Sequence, residues 1–381
     1  MKTIVNFVAF CLPLILFTYW GIIGYAVLSM LRSQRNILQN LLIAPSIGMA
    51  IMLLPVFWLN RIGFPISKFA MPLFVFYLLT SITILWIRKP LFPIKIYLPF
   101  VGLFLIALFI TGGPLLRYGF SWISYGNDDM TNYSLGALRF LQHGFFDLPN
   151  LTDMIEGKDF TAFQWLKKVP TLERPGNEIL IAWLSSIMHL SPIQVFMPLI
   201  LTFHLMLISA TGALACVSRY KKRVAFAACL LLVFSALTTL GTLYQLIAQV
   251  GGLSLLIVST LLILQPFTAH KKHNTLHQGI LIALTASALL VVYSELSPFL
   301  CLGFVFYFCI SIIKGWRINK SFCLSLGIAA LLICLFLNTQ LVAVVQFVLE
   351  QAIRSATYSA RSSQITLIFP YYLIPSGLAA Q

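Results

Sequence analysis

Residues 37–59 read ILQNLLIAPSIGMAIMLLPVFWL, an apolar run without a charged side chain. A helix of about 20 such residues crosses the ~30 Å hydrocarbon layer of a membrane. Similar runs recur along the 381-residue chain, in which 60% of the residues are hydrophobic, 9% are charged and the mean hydropathy is +0.94. A soluble domain carries about 25% charged residues. The sequence therefore predicts an all-α, polytopic transmembrane helix bundle.

About ten membrane helices are predicted, at residues 4–30, 37–59, 69–87, 96–112, 193–218, 224–243, 246–267, 279–293, 299–313 and 321–345. The run at 4–30 is about twice as long as the apolar core of a signal peptide, so we read it as the first membrane helix. Residues 179–190 are apolar but too few to span, which predicts a re-entrant or interfacial helix. The predicted units are a four-helix membrane segment (1–113), an external acidic loop with juxtamembrane helices (114–192), a six-helix membrane segment (193–345) and an external tail (346–381).

The distribution of basic residues predicts the orientation of the chain. The net charge is +15, but the Lys and Arg residues form short clusters between apolar runs, which is the positive-inside pattern and not a nucleic-acid-binding face. We expect an inner (plasma) membrane protein whose long loop and both termini lie on the non-cytoplasmic side. The seven cysteines all fall in apolar segments and are read as small core residues. The clusters assigned to the cytoplasmic side are Arg32/Arg35, Arg88/Lys89/Lys95, Arg219/Lys221/Lys222/Arg223, Lys271/Lys272 and Lys314/Arg317/Lys320.

Acidic residues are concentrated in the external loop. Eight of the ten in the chain lie there: Asp128, Asp129, Asp147, Asp153, Glu156, Asp159, Glu173 and Glu178. We interpret Asp153, Glu156 and Asp159 as charges that keep a long loop solvated. The pair Asp128–Asp129 precedes an amphipathic pattern that predicts a helix lying on the membrane. Either acid can serve as the N-cap of that helix, which leaves a purely structural role open.

The stretch that begins with this acidic pair resembles a known family. Residues 127–144 read NDDMTNYSLGALRFLQHG, followed by FFDLP at 145–149, ERPG at 173–176 and ILIAWL at 179–184. This order resembles the first external loop of GT-C membrane glycosyltransferases, which include protein O-mannosyltransferases and aminoarabinose transferases. The resemblance covers residues 119–223. The chain departs from the family in having four helices before the loop and no clear external C-terminal domain, so it resembles a truncated or divergent member.

The resemblance implies roles for individual residues. Asp129, with Asp128 as the second candidate, matches the catalytic carboxylate, which takes the acceptor proton or holds a divalent metal ion. Arg174 matches the basic group that meets the carrier phosphate, although a headgroup anchor at the interface is an alternative. No cofactor other than a possible divalent ion is implied. The remaining residues assigned to substrate binding are Glu173, Tyr133, Lys167 and Lys168.

Further candidates follow from the predicted orientation. Glu295 ends an apolar run, where an acid is costly unless it faces a polar cavity. The orientation places Glu295 and the turn Tyr244–Gln245 at the same face as the long loop, so they are candidate substrate-binding residues. A solvated helix end is the alternative for Glu295. If the chain is an enzyme, Asp129, Arg174 and Glu295 should converge.

The first functional expectation is transfer of a sugar from a polyprenyl-phosphate donor to an acceptor on the non-cytoplasmic face. The expected partners are that donor and membrane lipids, and nucleic acid is not among them. The alternatives are a transporter or flippase of lipid-linked glycans and a non-catalytic subunit of envelope polysaccharide assembly. Transport ranks second because the predicted helices hold almost no charge and no internal repeat is visible.

Overall fold

The computed structural model describes residues 2–31, 36–125, 128–168, 174–217, 221–268, 275–315 and 320–361. All regular structure within these residues is helical. The helices are α1 (Lys2–Met30), α2 (Ile37–Arg61), α3 (Ile66–Arg88), α4 (Ile94–Gly112), α5 (Pro114–Tyr118), α6 (Asp128–Gln142), α7 (Leu151–Ile155), α8 (Ala162–Lys168), α9 (Gly176–Met188), α10 (Pro192–Ala215), α11 (Lys221–Val233), α12 (Ala236–Leu243), α13 (Ile247–Thr268), α14 (Thr275–Val292), α15 (Ser297–Ile313), α16 (Lys320–Leu337) and α17 (Thr339–Arg361).

The predicted polytopic bundle is confirmed. Within the described ranges, nine helices are long and apolar enough to cross a membrane. These are α1 to α4, α10, α13, α14, α15 with the 3-10 turn before it, and α16. The pair α11 and α12 passes the same test but bends by 51°, so it forms a tenth, broken span if it crosses as one. The prediction of about ten spans is consistent with this range.

The last predicted membrane helix, 321–345, is wrong in extent. The structure ends α16 at Leu337 and begins α17 at Thr339, because Asn338 adopts a left-handed conformation with φ of 48°. Asn tolerates this conformation better than most residues, so it interrupts the helix. The described part of α17 leaves an apolar stripe exposed, formed by Val342, Val345, Leu349 and Ile353.

The bundle is organised around α10 and α2. The apolar stretch of α10 is 89% buried and that of α2 is 83% buried, whereas none of the stretch around α15 is buried. Close approach of α1 and α2 depends on Gly24 and Gly48. A Cβ at Gly24 would collide with the carbonyl of Ala44, and one at Gly48 with the carbonyl of Trp20. Small residues at such crossings let membrane helices pack backbone to backbone.

The long loop between α4 and α10 folds onto one end of the bundle. Asn6 in α1 donates hydrogen bonds to the carbonyls of Leu116 and Arg117, at 3.1 and 2.8 Å. At the end of α2, Asn60 donates to the carbonyl of His143 at 3.0 Å. Arg61, the last residue of α2, donates to Gln340 in α17 at 2.7 Å. The start of α1, the end of α2, the loop and α17 therefore share one end, called the loop end below.

Helix α9 has the length expected of a segment that does not span. It has 13 residues and begins after Pro175, and His189 with φ of 52° ends it. Ser191 then starts α10 with a capping box closed by Gln194. Residues 176–185 are all buried, so α9 packs inside the loop end instead of lying on its surface.

Candidate functional site

An ion pair links the long loop between α4 and α10 to the α14–α15 turn. Nη1 of Arg174 donates to Oε1 of Glu295, and both side chains are mostly buried, with exposed fractions of 22% and 24%. The guanidinium also lies over the ring of Tyr293, with 4.7 Å between Cζ and the ring centroid. Cation–π contacts of this geometry are attractive, and more so away from water. Arg174 is therefore held by two residues of a turn that follows a membrane helix.

The start of α9 positions Arg174. Asn177 is fully buried and donates through Nδ2 to the carbonyl of Val292 at 3.0 Å. Gly176 packs so tightly on the same turn that a Cβ would lie 2.8 Å from the carbonyl oxygen of Val291. These contacts attach the first residues of α9 to the last residues of α14. Arg174, two residues before Gly176, is thereby brought beside Tyr293 and Glu295.

Tyr133 and Asp129 approach this ion pair from α6. Tyr133 is buried, and that burial raises the pKa of its phenol to about 12. The positive charge of Arg174 opposes the rise in pKa, while Asp129 and Glu295 add to it. Asp129 is half-exposed and one turn before Tyr133 on the same helix. The phenol thus lies within the electrostatic reach of all three charged residues that the sequence predicts to converge.

The same charges act on Tyr293 and Arg174. Burial raises the pKa of Tyr293, Glu295 and Asp129 add to that rise, and Arg174 opposes it. Burial alone would lower the pKa of Arg174, but Tyr133 and Glu295 raise it above its usual value. The guanidinium is therefore cationic at any physiological pH. The cluster of Asp129, Tyr133, Arg174, Tyr293 and Glu295 is called the acid–arginine cluster below.

The turn between α12 and α13 closes the other side of α6. The Nε2 group of Gln245 donates to the sulfur of Met130 at 3.1 Å, and Gln245 is fully buried with φ of 63°. The rings of Tyr244 and Tyr125 stack with centroids 5.4 Å apart. Gln245 therefore lies against the first turn of α6 and Tyr244 against Tyr125 before that helix, at the loop end as the predicted orientation requires.

Several predicted site residues lie wholly or partly outside the described residues. Asp128 begins α6, and Lys167 and Lys168 end α8, but their side chains are not described, and Glu173 lies outside the described ranges. Among the described residues, no group of three His, Cys, Asp or Glu side chains lies close enough to hold a metal ion. A metal role for Asp128 and Asp129 stays a prediction, and no step below depends on it.

A second network of hydrogen bonds connects the C-terminal part of α6 to the loop that follows it. Arg139 is only 2% exposed and donates to the carboxylate of Asp159 and to the carbonyl of Asp147, both at 2.8 Å. The Asp147 carboxylate in turn accepts from the backbone N–H of Gly144 at 2.6 Å. The interpretation of Asp159 as a purely solvating charge is wrong, because its carboxylate compensates a buried guanidinium, which would otherwise be costly.

Three residues that build the site carry no signal in the sequence. Tyr293, Gly176 and Asn177 have no motif of their own, and their roles depend on contacts between segments more than a hundred residues apart. The sequence signal that pointed nearest to Tyr293 was its place two residues before Glu295. Gly176 follows Pro175 at a predicted helix start, which indicates a tight turn but not what it packs against.

Comparison with known proteins adds no assignment. The chain matches no family model, no curated protein and no solved structure. The resemblance to GT-C glycosyltransferases therefore rests on the residues quoted from the sequence.

Proposed function

We propose that the protein is a GT-C-like membrane glycosyltransferase that moves a sugar from a polyprenyl-phosphate donor to an acceptor. In this proposal the loop end faces the non-cytoplasmic side of the plasma membrane, where the donor is presented. The observation that carries the proposal is the mostly buried ion pair of Arg174 and Glu295, with Asp129 near the start of α6 acting electrostatically on the two tyrosines beside that pair. The charge of Asp129 also raises the pKa of Tyr293, whose ring lies under the Arg174 guanidinium.

Arg174 binds the phosphate of the donor in this proposal. A guanidinium has five N–H donors, and its hydrogen bonds to Glu295 and Tyr293 use only part of them. The other donors can meet phosphate oxygens, which Arg recognises by paired hydrogen bonds. Glu295 and Tyr293 hold the guanidinium in place before the donor arrives. Such preorganisation avoids ordering a flexible cation during the reaction.

Asp129 is the general base. The acceptor hydroxyl gives its proton to the Asp129 carboxylate while its oxygen forms a bond to the anomeric carbon of the donor sugar. The bond between that carbon and the phosphate oxygen breaks, and the electron pair leaves with the polyprenyl phosphate. Arg174 stabilises the charge that develops on this leaving group. Tyr133, protonated below about pH 12, donates a hydrogen bond to the substrate and does not serve as a base.

Release of free polyprenyl phosphate distinguishes this function from transport. Purified protein in nanodiscs is incubated with a panel of polyprenyl-phosphate-linked hexoses, and polyprenyl phosphate is quantified with and without an acceptor extract. We expect its release from at least one donor. Proteoliposomes provide the second arm, because a flippase moves the intact lipid-linked sugar between leaflets without breaking the glycosyl bond. Movement of intact donor with no release of polyprenyl phosphate would reject the transferase.

A further inference from the structure

Two adjoining cavities open at the end of the bundle opposite the loop end. One has a volume of about 340 Å³, and its lining includes Ser29, Asn40 and Arg88. The other has a volume of about 390 Å³ and is almost wholly apolar, with Lys89 among its lining residues. Tyr25 and Pro90 line both cavities. A polar compartment with a cation therefore continues directly into an apolar one.

The apolar cavity runs along the helices for the depth of one membrane leaflet. On α1 its lining extends from Tyr25 to Leu14, which at 1.5 Å per residue is about 16 Å. Half of the ~30 Å hydrocarbon layer has the same depth. On α4 the lining residues Tyr97, Val101 and Phe104 recur at helical spacing, so the cavity runs between α1 and α4 and is bounded on one side by α2. Its shape and polarity match an acyl chain entering from the membrane surface.

The linker between α3 and α4 gives the shared mouth a defined shape. The hydroxyl of Tyr25 donates to the carbonyl of Leu91 at 2.6 Å, and its ring contacts that of Phe92 edge to face. Lys89 ends α3 in a left-handed conformation with φ of 43°, which is unusual for a residue with a long side chain. This linker is therefore held against α1 with two adjacent cations, Arg88 and Lys89, at the mouth.

The positive charges of Arg88 and Lys89 have no acidic residue near them in the sequence. Residues 1–127 contain no Asp or Glu. The described ion pairs of the protein, such as Arg174 with Glu295 and Arg139 with Asp159, lie at the loop end. Arg88 and Lys89 form no ion pair within the described part of the chain. An anionic headgroup would supply the missing negative charge.

We propose that these cavities bind one anionic phospholipid, with its phosphate at Arg88 and Lys89 and an acyl chain in the apolar cavity between α1 and α4. The site is independent of the acid–arginine cluster and of the proposed transferase. It lies at the opposite end of the bundle, where the positive-inside pattern places the cytoplasmic leaflet. The lipid would fill the gap between α1 and α4 and stabilise the N-terminal helices.

Native mass spectrometry of the full chain tests the site with two probes, phosphatidylglycerol and phosphatidylcholine. Arg88→Gln with Lys89→Gln removes the cations at the mouth. The matched control, Lys95→Gln with Lys320→Gln, removes the same charge from exposed positions at the same end that line neither cavity. We expect wild-type protein to prefer phosphatidylglycerol by on the order of tenfold, because the two cations at the mouth attract its net negative headgroup, whereas phosphatidylcholine carries no net charge. Only the Arg88/Lys89 variant should lose that preference.

Filling the apolar cavity tests the acyl chain separately. A Cβ at Gly21 has only Pro45 nearby, at 3.8 Å, so Gly21→Leu should enter the cavity without a backbone clash. Thr18→Phe, also in the lining and exposed, is a second filling variant. The control is Gly102→Leu, since a Cβ at Gly102 has no neighbour within 4 Å. We expect both filling variants to reduce phosphatidylglycerol binding by about tenfold and the control to leave it unchanged.

Three results would overturn the proposal. Equal loss of preference in the Lys95/Lys320 control would show diffuse attraction to a basic surface and not a site. Unchanged lipid binding in both filling variants would place the acyl chain elsewhere. Displacement of the lipid by millimolar inorganic phosphate, with no contribution from the acyl chain, would indicate a site for phosphate alone.

Discussion

The guanidinium of Arg174, just before α9, forms an ion pair with the carboxylate of Glu295, 121 residues further along the chain. This contact joins the long loop to the turn between α14 and α15. Both side chains are mostly buried, so each needs the other to offset its loss of hydration. The pair therefore has a structural effect as well as the proposed role in binding phosphate.

The structural effect can be measured with a double-mutant cycle on the free energy of unfolding. Arg174→Gln and Glu295→Gln should each destabilise the protein, and the double variant should be less destabilised than the sum of the two. We expect a coupling free energy of about 1–3 kcal/mol, because each single change leaves a mostly buried charge unpaired. The exposed pair of Lys158 and Glu156 is the control and should show little coupling. Additive effects at Arg174 and Glu295 would contradict the observed contact.

Donor binding separates Arg174 from a simple lipid anchor. Arg174→Lys keeps the charge but loses the planar arrangement of N–H donors, so affinity for polyprenyl phosphate should fall by about tenfold or more. The matched control is Arg117→Lys, which changes an exposed Arg at the same end of the bundle. The measurement is the dissociation constant in nanodiscs. Equal affinity of wild-type and Arg174→Lys protein would leave Arg174 as an anchor for headgroups.

The loop network predicts an acid-sensitive segment. Hydrogen bonds from Thr161 and the charge of Arg139 outweigh burial and lower the pKa of Asp159. A lowered folded-state pKa means that this stabilisation is present above the ordinary Asp pKa of about 3.9 and is lost as pH falls through the folded-state value. Hydrogen exchange of residues 144–162 should therefore accelerate as pH falls below about 4, after correction for intrinsic rates.

Two variants test whether Asp159 causes the faster hydrogen exchange at low pH. Asp159→Asn should remove most of this pH dependence and give faster exchange at neutral pH, whereas Asp153→Asn should behave like the wild type. The Asp153 side chain is half-exposed and forms no ion pair among those described. An unchanged acid response in Asp159→Asn would assign it to another carboxylate.

The crossing of α1 and α2 should be intolerant of even one methyl group. Gly24→Ala and Gly48→Ala place a Cβ against a backbone carbonyl, so the helices must separate, at a cost of about 1–3 kcal/mol. Gly102→Ala is the control. It meets no atom within 4 Å, and Ala favours a helix over Gly by about 1 kcal/mol. The melting temperature in detergent should fall for the first two variants and stay level or rise for the control. A level melting temperature in Gly24→Ala would contradict the close crossing.

Membrane helices were predictable because their length and apolar composition are local properties. The run at 37–59 identifies α2 to within two residues at its C-terminal end. The break at Asn338 was not predictable from hydropathy, because the apolar composition continues through it and one left-handed residue changes the helix direction. The bend between α11 and α12 falls at Ser235, again within an apolar run.

Convergence at the site was predictable in part. The basic clusters predict the orientation of the membrane helices, and this orientation places Glu295, which follows an apolar run, at the same end as the loop. Its pairing with Arg174 depends on Gly176 and Asn177 packing against Val291 and Val292, which no local pattern encodes. The prediction for Asp159 was wrong for the same reason, because no local sequence pattern indicates that Arg139 is buried.

The pH dependence of transfer tests the role of Tyr133. Burial holds the pKa of its phenol at about 12, so the hydroxyl stays protonated throughout the assay range. Tyr133→Phe should lower the rate by about tenfold through loss of one hydrogen bond. The shape of the pH profile between pH 6 and about 10 should not change, because a phenol with a pKa of about 12 stays protonated throughout that range. Loss of an alkaline limb below pH 10 in Tyr133→Phe would show that the phenol titrates during catalysis.

The proposed base, Asp129, is tested most directly by the rate of sugar transfer from a polyprenyl-phosphate donor in Asp129→Asn protein. Asp129 is the second residue of α6, inside its first turn and not at the N-cap, so a structural role alone predicts only the loss of its attraction to the helix dipole, about 1 kcal/mol at most, and an unchanged rate. If Asp129 is the general base, Asp129→Asn should slow transfer by about 10²-fold or more while expression and melting temperature stay normal. Asp153→Asn, in the same loop, should transfer at the wild-type rate. Full activity of Asp129→Asn would contradict its role as the base, and full activity of both Asp129→Asn and Asp128→Asn would contradict the carboxylate mechanism.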